Sequence, residues 1–159
     1  MSDRANRYSE NLRAFLESES LPHRFIEFEE PVKTVEQASR KVPPEQIAKS
    51  IILIDSNNEP FMAILLAMDR ISYRRVKEVL GVKDVRLATE NEVMTFSGYP
   101  VGGVPPFNQV KRALLDPKVL KNRLAIFGGG DVNKLVELRT SDIVDIVKPV
   151  ITDLTRKSS

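Results

Sequence analysis

Two strongly apolar runs, residues 47–54 and 61–67, flank the turn-rich stretch Asp55-Ser56-Asn57-Asn58-Glu59-Pro60. Strand-sized runs on either side of such a turn read as a hairpin of buried strands joined by a loop of several residues. A buried hairpin needs other layers packed over it, and the rest of the chain has to supply them.

The flanking sequence carries the start and stop signals of those layers. Residues 7–19 place Tyr8, Leu12, Phe15 and Leu16 at helical spacing, which predicts an amphipathic first helix. Thr34-x-x-Gln37 and Thr89-x-x-Glu92 are capping boxes, in which side chain and main chain satisfy each other's hydrogen bonds. The first predicts a helix running to about residue 41, closed by Pro43-Pro44; the second predicts a short helix ending near Gly98. Ser72 is expected to cap a helix that stops at Gly81, and Ser141 to cap the last one. Short strands are expected over 23–28, 85–88, 113–115, 123–127, 135–138 and 149–154, with Pro117 in the first turn of a brief helix. Strands and helices mix without a regular βαβ rhythm. The expectation is one α+β domain over residues 1–159: a curved, mixed, largely antiparallel sheet with a barrel-like core, surrounded by helices.

Composition removes several chemistries. There is no cysteine, and His23 is the one histidine. Disulfides, thiolate catalysis and cysteine metal sites are excluded, as is any mechanism that needs two histidines. His23 itself reads better as a satisfied strand residue than as a catalytic one. No metal and no cofactor are expected. No run approaches the ~18 apolar residues that span a bilayer, and the polar start of the chain does not read as a signal peptide. A cytoplasmic protein with no membrane partner is expected. The net charge of +2 permits a nucleic-acid partner without requiring one.

Six of the seven glycines fall in two clusters. One is the loop Gly98-Tyr99-Pro100-Val101-Gly102-Gly103-Val104-Pro105-Pro106; the other is Gly128-Gly129-Gly130. Proline stiffens such a loop and glycine opens its backbone, so main-chain N–H groups can be presented to a carbonyl or an anion. Ordinary turns use the same residues. Lys49 is the second anomaly, because it heads an apolar run in QIAKSIILI. It must snorkel, pair with an acid or face a cleft. Asp116 is the third: it ends a strand just before Pro117, where helix capping and a functional role explain it equally well.

Taken in order, these motifs resemble the YbaK/prolyl-tRNA-synthetase-associated (ProX-type) editing family. The resemblance runs from about Thr34 to the C-terminus. It is carried by TVEQAS from Thr34, by Lys49-Ser50-Ile51-Ile52, by VKEVLGVKDVRLA, by the Gly-Tyr-x-x-Gly-Gly-x-x-Pro loop from Gly98, by Asp116 and by Gly128-Gly129. Two positions depart from the family pattern. Pro105 stands where many members have serine, and Asn108 where many have glycine; both bear on substrate choice.

The resemblance implies a freestanding, trans-acting deacylase that hydrolyses the ester of a mischarged aminoacyl-tRNA. The Val-Pro-Pro-Phe variant is similar to members that remove alanine from tRNA(Pro), ahead of cysteine from tRNA(Pro) or serine. It implies catalytic roles for Lys49, Gly102, Gly103, Val104 and Asp116, with main-chain N–H groups of the loop on the ester carbonyl and Asp116 orienting Lys49 or the α-amino group. It implies substrate contacts for Ser50, Gly98, Tyr99, Pro105, Pro106, Phe107, Gly128 and Gly129. Phe107, Met94 and Ile52 are candidate pocket walls or plain core. Lys111 and Arg112 are expected to meet tRNA, and Arg70, Arg74, Arg75 and Lys77 form a second basic group better read as a solvated face. The expected partners are the acceptor end of aminoacyl-tRNA and prolyl-tRNA synthetase, for a monomer or weak homodimer. Two other readings stay open: a tRNA- or synthetase-binding module without activity, and a hydrolase of small aminoacyl esters.

Overall fold

The computed structural model describes residues 6–156. The hairpin forms as the apolar runs dictate: β2 (Ala48–Asp55) pairs antiparallel with β3 (Pro60–Leu66). Alternate residues enter different cores. Ala48 and Ile52 pack with Met62 and Ile64 in one cluster, while Leu53 packs with Phe61, Ala63 and Leu65 in another. Both faces are covered, which is why the runs read as continuous rather than alternating. The Asp55 side chain fastens the turn by accepting from the N–H groups of Asn57 and Glu59.

The hairpin is the centre of a five-stranded sheet, β4-β2-β3-β5-β8, with β4 (Val85–Leu87), β5 (Ala113–Leu115) and β8 (Val150–Ile151). The pairs β2–β4 and β2–β3 are antiparallel, and β3–β5 and β5–β8 are parallel. A separate antiparallel sheet, β1-β7-β6, holds β1 (His23–Glu27), β7 (Asp131–Arg139) and β6 (Leu124–Gly129). One isolated parallel bridge, Ile47–Ile126, joins the two sheets. The expected fold class stands, with one correction. The strands form two open sheets and do not close into a barrel, since β2 and β6 are not paired and, among the described residues, only the bridge at Ile47, just before β2, links the two sheets.

The helices are α1 (Arg7–Ser18), α2 (Val35–Ala38), α3 (Tyr73–Leu80), α4 (Glu90–Ser97) and α5 (Thr140–Val147). Both capping boxes form, on Thr34 and on Thr89, and Ser72 caps α3. Gly81 and Gly98 close their helices in the left-handed conformation, as the glycine signal requires. Two expectations fail. Regular α-helix in α2 ends at Ala38 instead of continuing to about residue 41, and the chain goes on as hydrogen-bonded turns in which Arg40 donates to Gln37 and Lys41 and Val42 donate to Ala38. Ser141 lies inside α5, whose N-cap is Arg139 without a side-chain cap bond. There the Arg139 guanidinium pairs with Asp142 in the first turn.

Candidate active site

The site is built on an uncovered length of strand. On one side β2 is paired with β3 from Ala48 to Ile54, but on the other β4 covers only Leu53, Ile54 and Asp55. Between that cover and the Ile47–Ile126 bridge, no strand among the described residues is paired with residues 48–51 on this side. A cavity of about 470 Å³ opens at this edge. Its floor is Ala48, Lys49, Ser50, Ile51 and Ile52; Gly102, Val104 and Gly128 form a wall; Thr34, Val93 and Leu135 are among the other residues that line it.

Three close main-chain approaches hold the wall. The Gly103 N–H donates to the Pro100 carbonyl, and the Gly130 N–H donates to the Gly103 carbonyl. A Cβ on Gly103 would stand 2.2 Å from the Gly130 oxygen, and one on Gly128 would stand 2.8 Å from the Val104 oxygen. Glycine is required at both places because backbone passes against backbone. The Gly103 N–H is therefore spent inside the loop and has no donor left for a ligand. The N–H groups of Gly102 and Val104 have no protein acceptor among the described residues, and both residues line the cavity.

Lys49 and Ser50 project to opposite faces of β2, and the cavity meets both because it lies along the strand edge. The half-buried Lys49 ammonium donates to the Asp69 carbonyl at 2.8 Å. Burial pushes its pKa down, and the charge of Asp69 offsets part of that shift. Ser50 turns toward the core face of Ala48 and Ile52, opposite Ile64. Its hydroxyl is buried without a hydrogen-bond partner among the described residues. Such an orphan costs roughly 1–3 kcal/mol and calls for an explanation.

The remaining expected site residues lie elsewhere. Asp116 is 1% exposed and accepts from the N–H groups of Lys118 (2.9 Å) and Leu154 (2.8 Å). It caps the 3-10 turn Pro117–Lys121 and anchors the C-terminal segment; the acid beside Lys49 is Asp69, itself paired with Lys118 at 3.0 Å. Gly98, Tyr99, Pro106, Phe107 and Lys111 line a second cavity of about 490 Å³, where the loop meets Asn11 and Phe15 of α1. Pro105 and Gly129 are buried and line neither cavity. Arg112 is bound to Asp55 at 2.7 Å and stacks over Phe61. Burial alone would raise the Asp55 carboxyl, but Arg112 and the turn N–H groups outweigh it and hold the group below its usual range. Arg112 is thus a latch for the hairpin turn. Of the candidate pocket walls, Ile52 lines the first cavity, Phe107 the second and Met94 neither.

Thr34 and Val93 line the cavity without having been expected there. Thr34 is itself the N-cap of α2, and Val93 directly follows Glu92 of the capping box that begins α4, so in both places a local helix signal coincides with the cavity lining. Among the described residues no cluster of acidic or histidine side chains could hold a metal ion, and no helix is long and apolar enough to cross a membrane.

Comparison with known proteins adds to this geometry. The sequence profile of the aminoacyl-tRNA editing domain matches residues 29–146. The Bacillus subtilis protein YwhH is 29% identical over 125 residues, covering 74% of this chain and 76% of that protein. The proline–tRNA ligase of Aquifex aeolicus is 32% identical over 79 residues, covering 48% of this chain but only 14% of the ligase. Among solved structures, the hypothetical protein APE2540 is 29% identical, with a TM-score of 0.82 over 91% of this chain and 99% of that one. A candidate trans-editing enzyme for prolyl-tRNA synthetase shares the fold, with 20% identity and a TM-score of 0.83 over 94% of this chain and 97% of that one.

Proposed function

The chain belongs to the aminoacyl-tRNA editing domain family, and on that premise we propose that it hydrolyses the ester of mischarged aminoacyl-tRNA in trans, with alanyl-tRNA(Pro) as substrate. One observation carries the reading: Lys49 and two loop N–H groups without an acceptor among the described residues, those of Gly102 and Val104, border the same largely apolar cavity. The ester carbonyl lies between these groups. Each donor aimed at the developing oxyanion contributes about 3–4 kcal/mol to lowering the barrier. The Lys49 ammonium holds the carbonyl, the ribose or the terminal phosphate. An aminoacyl ester is already activated, so water assisted by the ribose 2′-hydroxyl suffices as nucleophile.

Apolar walls of fixed size act as a sieve, admitting alanine and rejecting larger side chains by steric exclusion. Cysteine and serine are the lesser candidates. The acceptor end of tRNA is the expected partner, prolyl-tRNA synthetase a further one, and the cytoplasm the place of action, for a monomer or weak homodimer.

The test is a panel in which purified protein is given alanyl-, cysteinyl- and seryl-tRNA and free alanyl esters. Release of alanine from tRNA(Pro), with little from the free ester, is the predicted result. Equal efficiency on free esters would make the protein a small-ester hydrolase. Binding of tRNA without release would make it a non-catalytic module.

A further inference from the structure

Both main-chain groups of Ser50 face the open edge of β2. The Ile47 carbonyl accepts from Ala67, beyond the end of β3, and the Ile52 carbonyl accepts from Ala88, beyond the end of β4. Successive residues of a strand direct these groups to alternate sides. Ser50 shares the parity of Ile52, so its N–H and C=O point away from β3, to a side where no strand among the described residues is paired with it. That side is the cavity.

Resting on the deacylase reading, we propose that the aminoacyl group binds as a single-residue strand paired with Ser50. An α-aminoacyl ester carries a donor on its α-nitrogen and an acceptor on its carbonyl. Their spacing is that of one residue in an antiparallel ladder, in which opposed residues exchange both hydrogen bonds. The α-ammonium donates to the Ser50 carbonyl, and the ester carbonyl accepts from the Ser50 N–H. The oxyanion then has a donor from each wall, Ser50 on one and Gly102 or Val104 on the other. Side chains directly opposite each other in a ladder share one face. The acyl side chain therefore lies beside the orphan Ser50 hydroxyl, between Ala48 and Ile52. The recognised class is an ester with a free α-amino group, whose side chain is small enough for that slot.

Two measurements test the pairing. The first compares alanyl-tRNA(Pro) with propionyl-tRNA(Pro), which lacks only the α-amine, after correction for spontaneous hydrolysis. A kcat/KM at least about tenfold lower for propionyl, the loss of one good hydrogen bond to a charged group, is expected; equal values overturn the pairing. The second titrates 15N-labelled protein with the non-hydrolysable 3′-alanylamido-3′-deoxyadenosine. The Ser50 amide resonance should shift and its hydrogen exchange should slow. At saturation, shifts at Gly102 and Val104 without one at Ser50 overturn the pairing and leave the deacylase reading intact. Failure of the protein to hydrolyse any aminoacyl-tRNA removes both.

Discussion

Ser50 separates stability from function most sharply. Its buried hydroxyl has no partner among the described residues, so removing it relieves a desolvation cost. Ser50→Ala is predicted to leave stability unchanged or raise it, by no more than about 1–3 kcal/mol, read as the denaturation midpoint. A loss of about 1 kcal/mol or more would mean that the hydroxyl has a partner after all. Lys49 gives a pH signature. Burial holds its pKa below 10.5 in the folded chain. The folded protein therefore releases this proton at a lower pH than the unfolded one. Below the folded pKa the buried charge opposes folding, and that penalty fades as pH rises through the folded pKa toward 10.5. If the ammonium acts on the ester, kcat/KM declines on the alkaline side with a midpoint below 10.5. Lys49→Arg keeps its charge throughout and should lack that decline. The same decline in the arginine variant would assign it to another group.

At the scale of elements, the wall loop depends on its close backbone approaches. Gly103→Ala puts a Cβ 2.2 Å from the Gly130 oxygen, where neither partner is a flexible side chain. A cost of about 1–3 kcal/mol in stability and a larger loss of activity than of folded protein are predicted, measured by thermal melts beside deacylation rates. Unchanged activity would remove the loop from the mechanism.

Such elements also mark how far the sequence could be read. Thr34, Thr89, Ser72, Gly81 and Gly98 announced their helix ends because capping is local chemistry. Ser141 misled because Arg139 and Asp142 start the last helix by an ion pair that no single position announces. The site was legible in part. Lys49 betrayed itself as a charge at the head of a buried strand, and Gly102 as a glycine in a stiff loop. Loop membership alone could not tell which residues face which cavity. Gly98, Tyr99 and Phe107 line the cavity beside α1, while Gly102 and Val104 line the one at the strand edge. The strand edge itself was invisible, because the length of β4 decides it and that length is set by tertiary pairing.

For the whole molecule, the modest net charge of +2 implies that any grip on tRNA is local and electrostatic. The Michaelis constant for aminoacyl-tRNA should rise steeply with salt while that for a small aminoacyl ester stays flat. Equal salt dependence would argue against a tRNA contact outside the cavity.

The central claim is that ester hydrolysis takes place in the cavity that Lys49 and the glycine loop both line. Its most direct test is the initial rate of alanine release from alanyl-tRNA(Pro), compared between the wild-type protein and Lys49→Ala at equal concentrations of folded protein. The account predicts release by the wild type and a drop of about tenfold or more in the variant, with the melting profile preserved. Equal rates in the two proteins, or no release by the wild type, would contradict it.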